Sequence, residues 1–190
     1  MAKNLSVCIL HHPKRAHLLP YLKEKLGADV PVCIDKHNNL LVNSRRAWAG
    51  YDPGADFHLV LDDDAIIGSH FYERVNSILT STECAYSLYW GGLEASPVEL
   101  LKGCKVWHVI RWGVAIILPT KYITEMLEYT ATIQRMPENR AFDTRISMYC
   151  EYRHIPVYYP LPCFVDHNSN EPSLAGNFGR GRKSKYFIGE

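Results

Sequence analysis

Three consecutive carboxylates, Asp62, Asp63 and Asp64, follow the apolar run Phe57-His-Leu-Val-Leu61. Carboxylates crowded together repel one another unless a cation or hydrogen-bond donors compensate. On an extended backbone alternate residues point the same way, so Asp62 and Asp64 are expected to share one side, with Asp63 on the other. Two such oxygen donors suit a hard divalent ion, Mn2+ or Mg2+. An ion held there can bridge the protein to a diphosphate and neutralise charge on a departing phosphate. The plain alternative is a solvated acidic turn with an aspartate capping the next helix. Far along the chain, His167 lies in the polar stretch Asp166-His-Asn-Ser-Asn170. On its own it reads as a surface histidine, although neutral imidazole is also a good Mn2+ ligand.

The elements that must position these groups alternate. Residues 5–10 form a short, apolar, β-branched run that reads as a buried strand, and residues 15–26 place Leu18, Leu19, Leu22 and Leu26 on one helical face. Pro20 interrupts that helix or marks a later start, and Gly27 stops it. A second strand is expected over 30–34. A short helix capped by Asn43 and closed by Gly50 follows, then a third strand over 57–61 and a helix marked by Phe71, Val75, Ile78 and Leu79. This order predicts an α/β fold, with a parallel sheet and crossover helices. Such sheets bind ligands beyond the carboxyl ends of their strands. The positions of interest are therefore His11 to Arg15, Asp35 to Asn38 and Asp62 to Asp64.

The second half is less regular. Strands are expected over 85–89, 105–111, 113–118 and 156–159, the middle two as an antiparallel pair joined near Arg111-Trp112. Helices are marked by Ile123, Met126 and Leu127 and by Phe142, Ile146 and Cys150. No repeat or linker divides the chain, so one domain is expected over residues 1–175. Residues 176–190 are read as a basic, Gly-rich tail or lid carrying Arg180, Arg182, Lys183 and Lys185.

Lys+Arg total 21 and Asp+Glu 20, a net charge of +1, so bulk charge does not point to nucleic acid. No apolar run reaches the ~18–20 residues of a membrane span, and residues 1–10 lack a secretory apolar region. The six cysteines form no Cys-x-x-Cys pair. They read as small core residues in a reducing compartment, with no disulfide frame and no zinc site. A cytoplasmic protein is expected, bacterial or, if phage-encoded, in the host cytoplasm.

The segment Phe57-His-Leu-Val-Leu-Asp-Asp-Asp-Ala-Ile-Ile67 resembles the Asp-x-Asp segment of GT-A fold glycosyltransferases. It is most similar to the lipopolysaccharide and procollagen galactosyltransferase-like group. Arg45-Arg46-Ala47-Trp48, Trp112-Gly113-Val-Ala-Ile-Ile-Leu118, and Pro162-Cys-Phe-Val-Asp-His167 with Ser173-Leu174 fit the same pattern. The resemblance covers roughly residues 5–175. It implies a GT-A-like, Rossmann-like single domain whose mixed, mainly parallel sheet is flanked by helices. It also implies transfer of a sugar from a nucleotide-diphosphate sugar, a UDP-sugar first, to a hydroxyl acceptor.

By the same resemblance, Asp64 and His167 would bind the metal, and Asp62 would hold the metal, a metal-bound water or the donor ribose. Asp63 would support the site from behind. His11, Pro13 and Arg15 would lie along the nucleotide, and Asp35 would accept from its base or ribose. Arg45 and Arg46 would balance phosphate charge, while the tail with Arg182 would close over the donor diphosphate, contact a nucleic-acid phosphate backbone or stand as a solvated terminus. An inverting transferase needs a base for the acceptor hydroxyl. Asp143, near the start of the helix after the Gly-containing strand, matches best, with Glu138 in reserve. Trp90, Gly91 and Trp112 would line the acceptor, since aromatic faces suit sugars and bases alike. The acceptor is a glycan or, as in phage enzymes, a hydroxymethylated base in DNA. Two other classes stay open: a sugar nucleotidyltransferase and a non-catalytic nucleotide-binding domain. The first usually carries a Gly-rich phosphate loop, where this chain has His11-His12-Pro13-Lys14-Arg15.

Overall fold

The computed structural model describes residues 3–91, 100–101, 104–107, 109–110, 112–133, 142–172, 174 and 183–189. In chain order the elements are β1 (Leu5–His11), α1 (Leu19–Leu26), β2 (Val32–Ile34), α2 (Leu40–Ala49), β3 (Phe57–Asp62), β4 (Ala65–Ile67), α3 (Phe71–Ile78), β5 (Ala85–Ser87), β6 (Leu100–Leu101), β7 (Cys104–Trp107), β8 (Ala115–Pro119), α4 (Ile123–Thr132), α5 (Phe142–Tyr152), β9 (Val157–Pro160) and β10 (Val165–His167). Eight strands form one sheet in the order β2-β1-β3-β8-β5-β9-β7-β6, while β10 and β4 form a separate two-stranded ribbon. Only β8 and β7 run against the other strands of the main sheet. The sheet is thus mixed and mainly parallel, with helices on its faces, as the sequence leads one to expect.

The middle of the sheet is apolar because β1 and β3 are covered on both sides. From Phe57 to Leu61 every residue of β3 is buried. Leu59 and Leu61 join Ile9 in a core with Leu22, Phe71 and Val75. On the other face Val60 joins Cys8 and Ile116 in a core with Trp48, Met126 and Ile146. Each such side chain contributes about 1.5–3 kcal/mol on burial. The rim that carries the carboxylates is therefore anchored by β3, which is buried along its length up to Asp62.

Several local expectations are corrected. The first crossover is a 3-10 turn over Pro13–Leu18 followed by α1, with Pro20 at the start of the α-helix rather than inside it. There its missing N–H costs nothing. Gly27 ends the helix at φ 114°, a backbone state that favours glycine. The cap of α2 is Asn39, whose side chain accepts from Val42 N–H, and not Asn43. Asn43 is buried inside that helix and donates to the Cys33 carbonyl at 3.0 Å. The strands near 105–111 and 113–118 do not pair: β7 lies between β9 and β6, and β8 lies between β3 and β5. The β4–β10 ribbon has no counterpart in the sequence reading. Among the described residues no helix is long and apolar enough to cross a membrane.

Residues 183–189, the described part of the tail, lie against the body. Ser184 N–H donates to Asp166 at 2.7 Å, and Cys163 N–H donates to the Tyr186 carbonyl at 2.9 Å.

Candidate active site

β3 ends at Asp62, and residues 63–64 form a turn before β4. The alternation expected of three extended aspartates therefore stops after the first. Asp62 keeps the direction of Val60 and faces a small cavity. Asp63 and Asp64 turn into the protein, each 3% exposed.

Asp63 is saturated with donors. It accepts from His12 N–H at 2.8 Å and from Arg15 Nη1 at 2.9 Å, and its Oδ2 lies 2.9 Å from His11 Nδ1. These donors all follow β1, which pairs with β3 in register up to Leu10 opposite Asp62. Sheet register thus delivers the whole His11–Arg15 segment to the acidic turn. Pro13 opens the 3-10 turn that folds Arg15 back, leaving that arginine 6% exposed.

Arg15 serves both carboxylates. Its Nη1 also lies 2.6 Å from Asp64 Oδ2, and its Nη2 donates to the Pro172 carbonyl at 2.7 Å. The flanking carboxylates raise the Arg15 pKa against the opposing effect of burial. Sequence reasoning placed Arg15 near the donor but missed this pairing, although a cation soon after the first strand and an acid run after the third are a recognisable combination.

His167 reaches the same carboxylate from the other side. β10 pairs antiparallel with β4, putting His167 opposite Ala65, and His167 Nε2 lies 3.3 Å from Asp64 Oδ2. Asn168 N–H donates to the Asp64 carbonyl at 2.9 Å and closes the turn. Burial raises the Asp64 pKa, while His167 and Arg15 oppose that shift. Three buried polar atoms here have no hydrogen-bond partner among the described residues: Asp64 Oδ1, His167 Nδ1 and Arg15 Nε. Buried polar atoms are seldom left unpaired, so these three are where a bound group would find partners.

A divalent metal fits this donor set. A carboxylate and an imidazole about one coordination edge apart suit Mn2+, and one carboxylate oxygen is unengaged. Among the described residues no group of three or more His, Cys, Asp or Glu converges to hold a metal. Among the described residues Asp64 and His167 would be the two that hold an ion, and its further ligands would come from a bound molecule or water.

Asp62 meets Asp143 across the rim. Both line a cavity of about 90 Å³ with Leu40, Ser44, Trp48 and Phe142. Burial raises the Asp62 pKa well above the usual carboxylate value. Asp64, Asp63 and Asp143 push it further, and Arg15 opposes. Asp143 sits in the first turn of α5, and its Oδ1 accepts from Thr144 N–H at 2.5 Å. Burial pushes its pKa up to about 6, against hydrogen bonds from Thr144 and the Gly113 backbone. Gly113 allows this approach: a Cβ there would come within 3.2 Å of Asp143 Cβ.

Other expected positions have different surroundings. Asp35 Oδ1 accepts from His37 N–H at 3.2 Å and Asn39 N–H at 3.0 Å, which organises the loop after β2. Arg45 is turned away from the acidic rim and donates to the Leu127 carbonyl at 2.9 Å, near the end of α4. Arg46 donates to the Ile34 carbonyl at 3.3 Å. Both arginines therefore hold helix and strand ends rather than facing the carboxylates.

Trp90 is a core residue, 4% exposed, edge-on to Tyr159 at 5.1 Å and to Trp112 at 5.5 Å. Trp112 is partly exposed and also packs edge-on to Tyr89 at 5.9 Å. Tyr89 in turn lies 6.1 Å from the His167 ring. Gly91 is required by Tyr89 itself, because a Cβ at Gly91 would fall 2.2 Å from the Tyr89 hydroxyl oxygen. Glu138 and Arg182 lie outside the described residues.

No protein-family model and no curated protein sequence matches this chain. Solved structures do. A glycosyltransferase involved in glycosylation of the major capsid of PBCV-1 superposes with a TM-score of 0.50 at 13% identity, covering 82% of this chain and 79% of that one. A Drosophila β-1,4-galactosyltransferase 7 in complex with manganese, UDP-Gal and xylobiose gives a TM-score of 0.49 at 11% identity over 82% of this chain. The chain spans 64% of the length of that second protein. The likeness is one of fold: the sheet and its helices are arranged as in GT-A glycosyltransferases.

Proposed function

We propose that this protein is a metal-dependent glycosyltransferase that moves a sugar from a nucleotide-diphosphate sugar, a UDP-sugar first, to a hydroxyl acceptor with inversion. The observation that carries the reading is the convergence of Asp64, His167 and Arg15, with orphaned polar atoms on all three, at the carboxyl rim of a GT-A-like sheet. Asp64 and His167 would hold Mn2+ or Mg2+. When bound, the ion supplies charge neutralisation for a departing diphosphate.

The chain's own groups account for the rest. Arg15 presents a buried guanidinium beside the ion's ligands, suited to phosphate oxygens. Asp62, facing the cavity next to Asp143, orients donor hydroxyls. Asp143 takes the acceptor proton. Its pKa of about 6 keeps it ionised at neutral pH while making it a stronger base than an ordinary aspartate. Trp112, the partly exposed ring beside the site, offers an apolar face to the acceptor. A glycan is the acceptor this wall suits. A hydroxymethylated DNA base would draw on the basic segment around Arg182.

The test incubates the purified chain with a panel of nucleotide sugars and Mn2+ and measures release of nucleoside diphosphate. Metal-dependent release that is lost in Asp64→Asn supports the reading. In a parallel incubation with a nucleoside triphosphate and a sugar 1-phosphate, pyrophosphate release would mark a nucleotidyltransferase instead. No turnover and no donor binding by calorimetry would leave a non-catalytic domain.

A further inference from the structure

The Asp64 carboxylate has two suitors. Arg15 Nη1 lies 2.6 Å from Asp64 Oδ2, the same oxygen that His167 Nε2 approaches at 3.3 Å. A guanidinium at that distance satisfies the carboxylate as a metal would, and its positive charge opposes a second cation beside it. Among the described residues Arg15 is held by three partners, of which Asp64 is one. It is also held by Asp63 Oδ1 at 2.9 Å and by the Pro172 carbonyl at 2.7 Å. Its Nε is buried without a partner among the described residues, so the guanidinium has a donor left over for an anion.

We propose that Arg15 is a built-in counter-cation that competes with the divalent metal for Asp64 and turns to the diphosphate when the donor arrives, so that metal and donor bind cooperatively. This rests on the function proposed above and adds a regulatory role to one residue of that site. Without a diphosphate, Arg15 keeps the acidic turn neutralised and the metal is held weakly. With one, the phosphates draw the guanidinium away, Asp64 is released to the ion, and each ligand raises the affinity for the other by the same factor.

The experiment titrates the full chain with Mn2+, followed by the electron paramagnetic resonance signal of free Mn2+, with and without UDP. UDP affinity in EDTA is measured by calorimetry. Wild type is expected to bind Mn2+ weakly alone and on the order of tenfold more tightly with UDP. Arg15→Gln is expected to bind Mn2+ alone more tightly than wild type by a similar factor, while its metal-free affinity for UDP falls. If Arg15→Gln does not fold, crystals of the wild type with Mn2+ and UDP give the readout instead: Arg15 Nη1 is expected to have left Asp64 Oδ2. Unchanged or weaker Mn2+ binding by a folded Arg15→Gln, or an Arg15–Asp64 contact intact beside bound metal, overturns the role of Arg15 alone. Absence of Mn2+ binding by wild type even with UDP overturns the metal reading beneath it.

Discussion

His167 Nε2 lies 3.3 Å from Asp64 Oδ2 because β10 runs back along β4 and sets His167 opposite the residue after Asp64. A three-residue ribbon thus carries a late histidine to a carboxylate fixed by the central strand. Asp63, one residue earlier, has His12 N–H, Arg15 and His11 around it, whereas Asp64 keeps an orphaned oxygen. Neighbouring aspartates therefore have different work. Asp64→Asn should weaken Mn2+ binding by about 100-fold or more, since loss of a mere supporting partner costs about 10–100-fold. Asp63→Asn should leave Mn2+ binding far less affected, and either variant should cost about 3 kcal/mol of stability by removing a buried charge from Arg15. Chemical denaturation and Mn2+ titration of both variants check the division. Equal effects of the two on metal binding would contradict it.

Asp143 sets a pH dependence with a defined sign. Its carboxyl is pushed from the ordinary 3.8 up to about 6, so at lower pH it carries a proton and cannot act as a base. Activity, as kcat/KM, should rise through a pH of about 6, and Asp143→Asn should lower it by about 10²–10⁴-fold and remove that limb. The same shift means that the folded chain binds a proton the unfolded chain releases between about pH 4 and pH 6. This group's contribution to stability therefore falls as pH rises through that window, and Asp143→Asn should melt at a higher temperature than wild type at neutral pH.

His58 gives the opposite slope. Wholly buried between Ser6 Oγ at 2.7 Å and the Ala47 carbonyl at 3.1 Å, it has a pKa lowered by burial from 6.5 to about 4. The unfolded chain binds a proton there that the folded chain refuses. Stability should thus drop by about 3 kcal/mol as pH falls from about 6.5 to about 4. Denaturation curves across that range should show the loss, and His58→Gln should flatten it.

The sheet was legible because its strands are short apolar runs punctuated by Gly, Pro and Asp. The acidic turn stood out because three carboxylates follow one of these runs directly. Asn39 was missed as a cap because Asn43 offers the same side chain four residues later, and only burial separates them. Arg45 looked like a phosphate ligand because an arginine's charge is visible in a sequence and its hydrogen-bond partner in α4 is not. Trp90 and Trp112 read alike for the same reason, yet one is core and the other partly exposed. The pairing of Arg15 with Asp63 and Asp64 depends on the register of β1 and β3, which no local pattern encodes.

Gly91 offers a test of the aromatic wall. Gly91→Ala places a methyl where the Tyr89 hydroxyl now stands, and Tyr89 is a buried ring with little room to move. Overpacking of this kind costs about 1–3 kcal/mol. The displaced ring borders both Trp112 and His167, so the variant should lose thermal stability and Mn2+ affinity together. Gly54→Ala, whose Cβ would meet the exposed Asp52 side chain first, at 3.3 Å, should leave metal binding unchanged.

The central claim is that Asp64 and His167 jointly hold a divalent ion beside a nucleotide diphosphate. Anomalous diffraction at the manganese edge, from crystals grown with Mn2+ and UDP, locates the ion directly. A manganese peak bonded to both side chains and to the diphosphate is the expected result. A nucleotide bound with no manganese peak between Asp64 and His167, or with His167 turned away from Asp64, would contradict it.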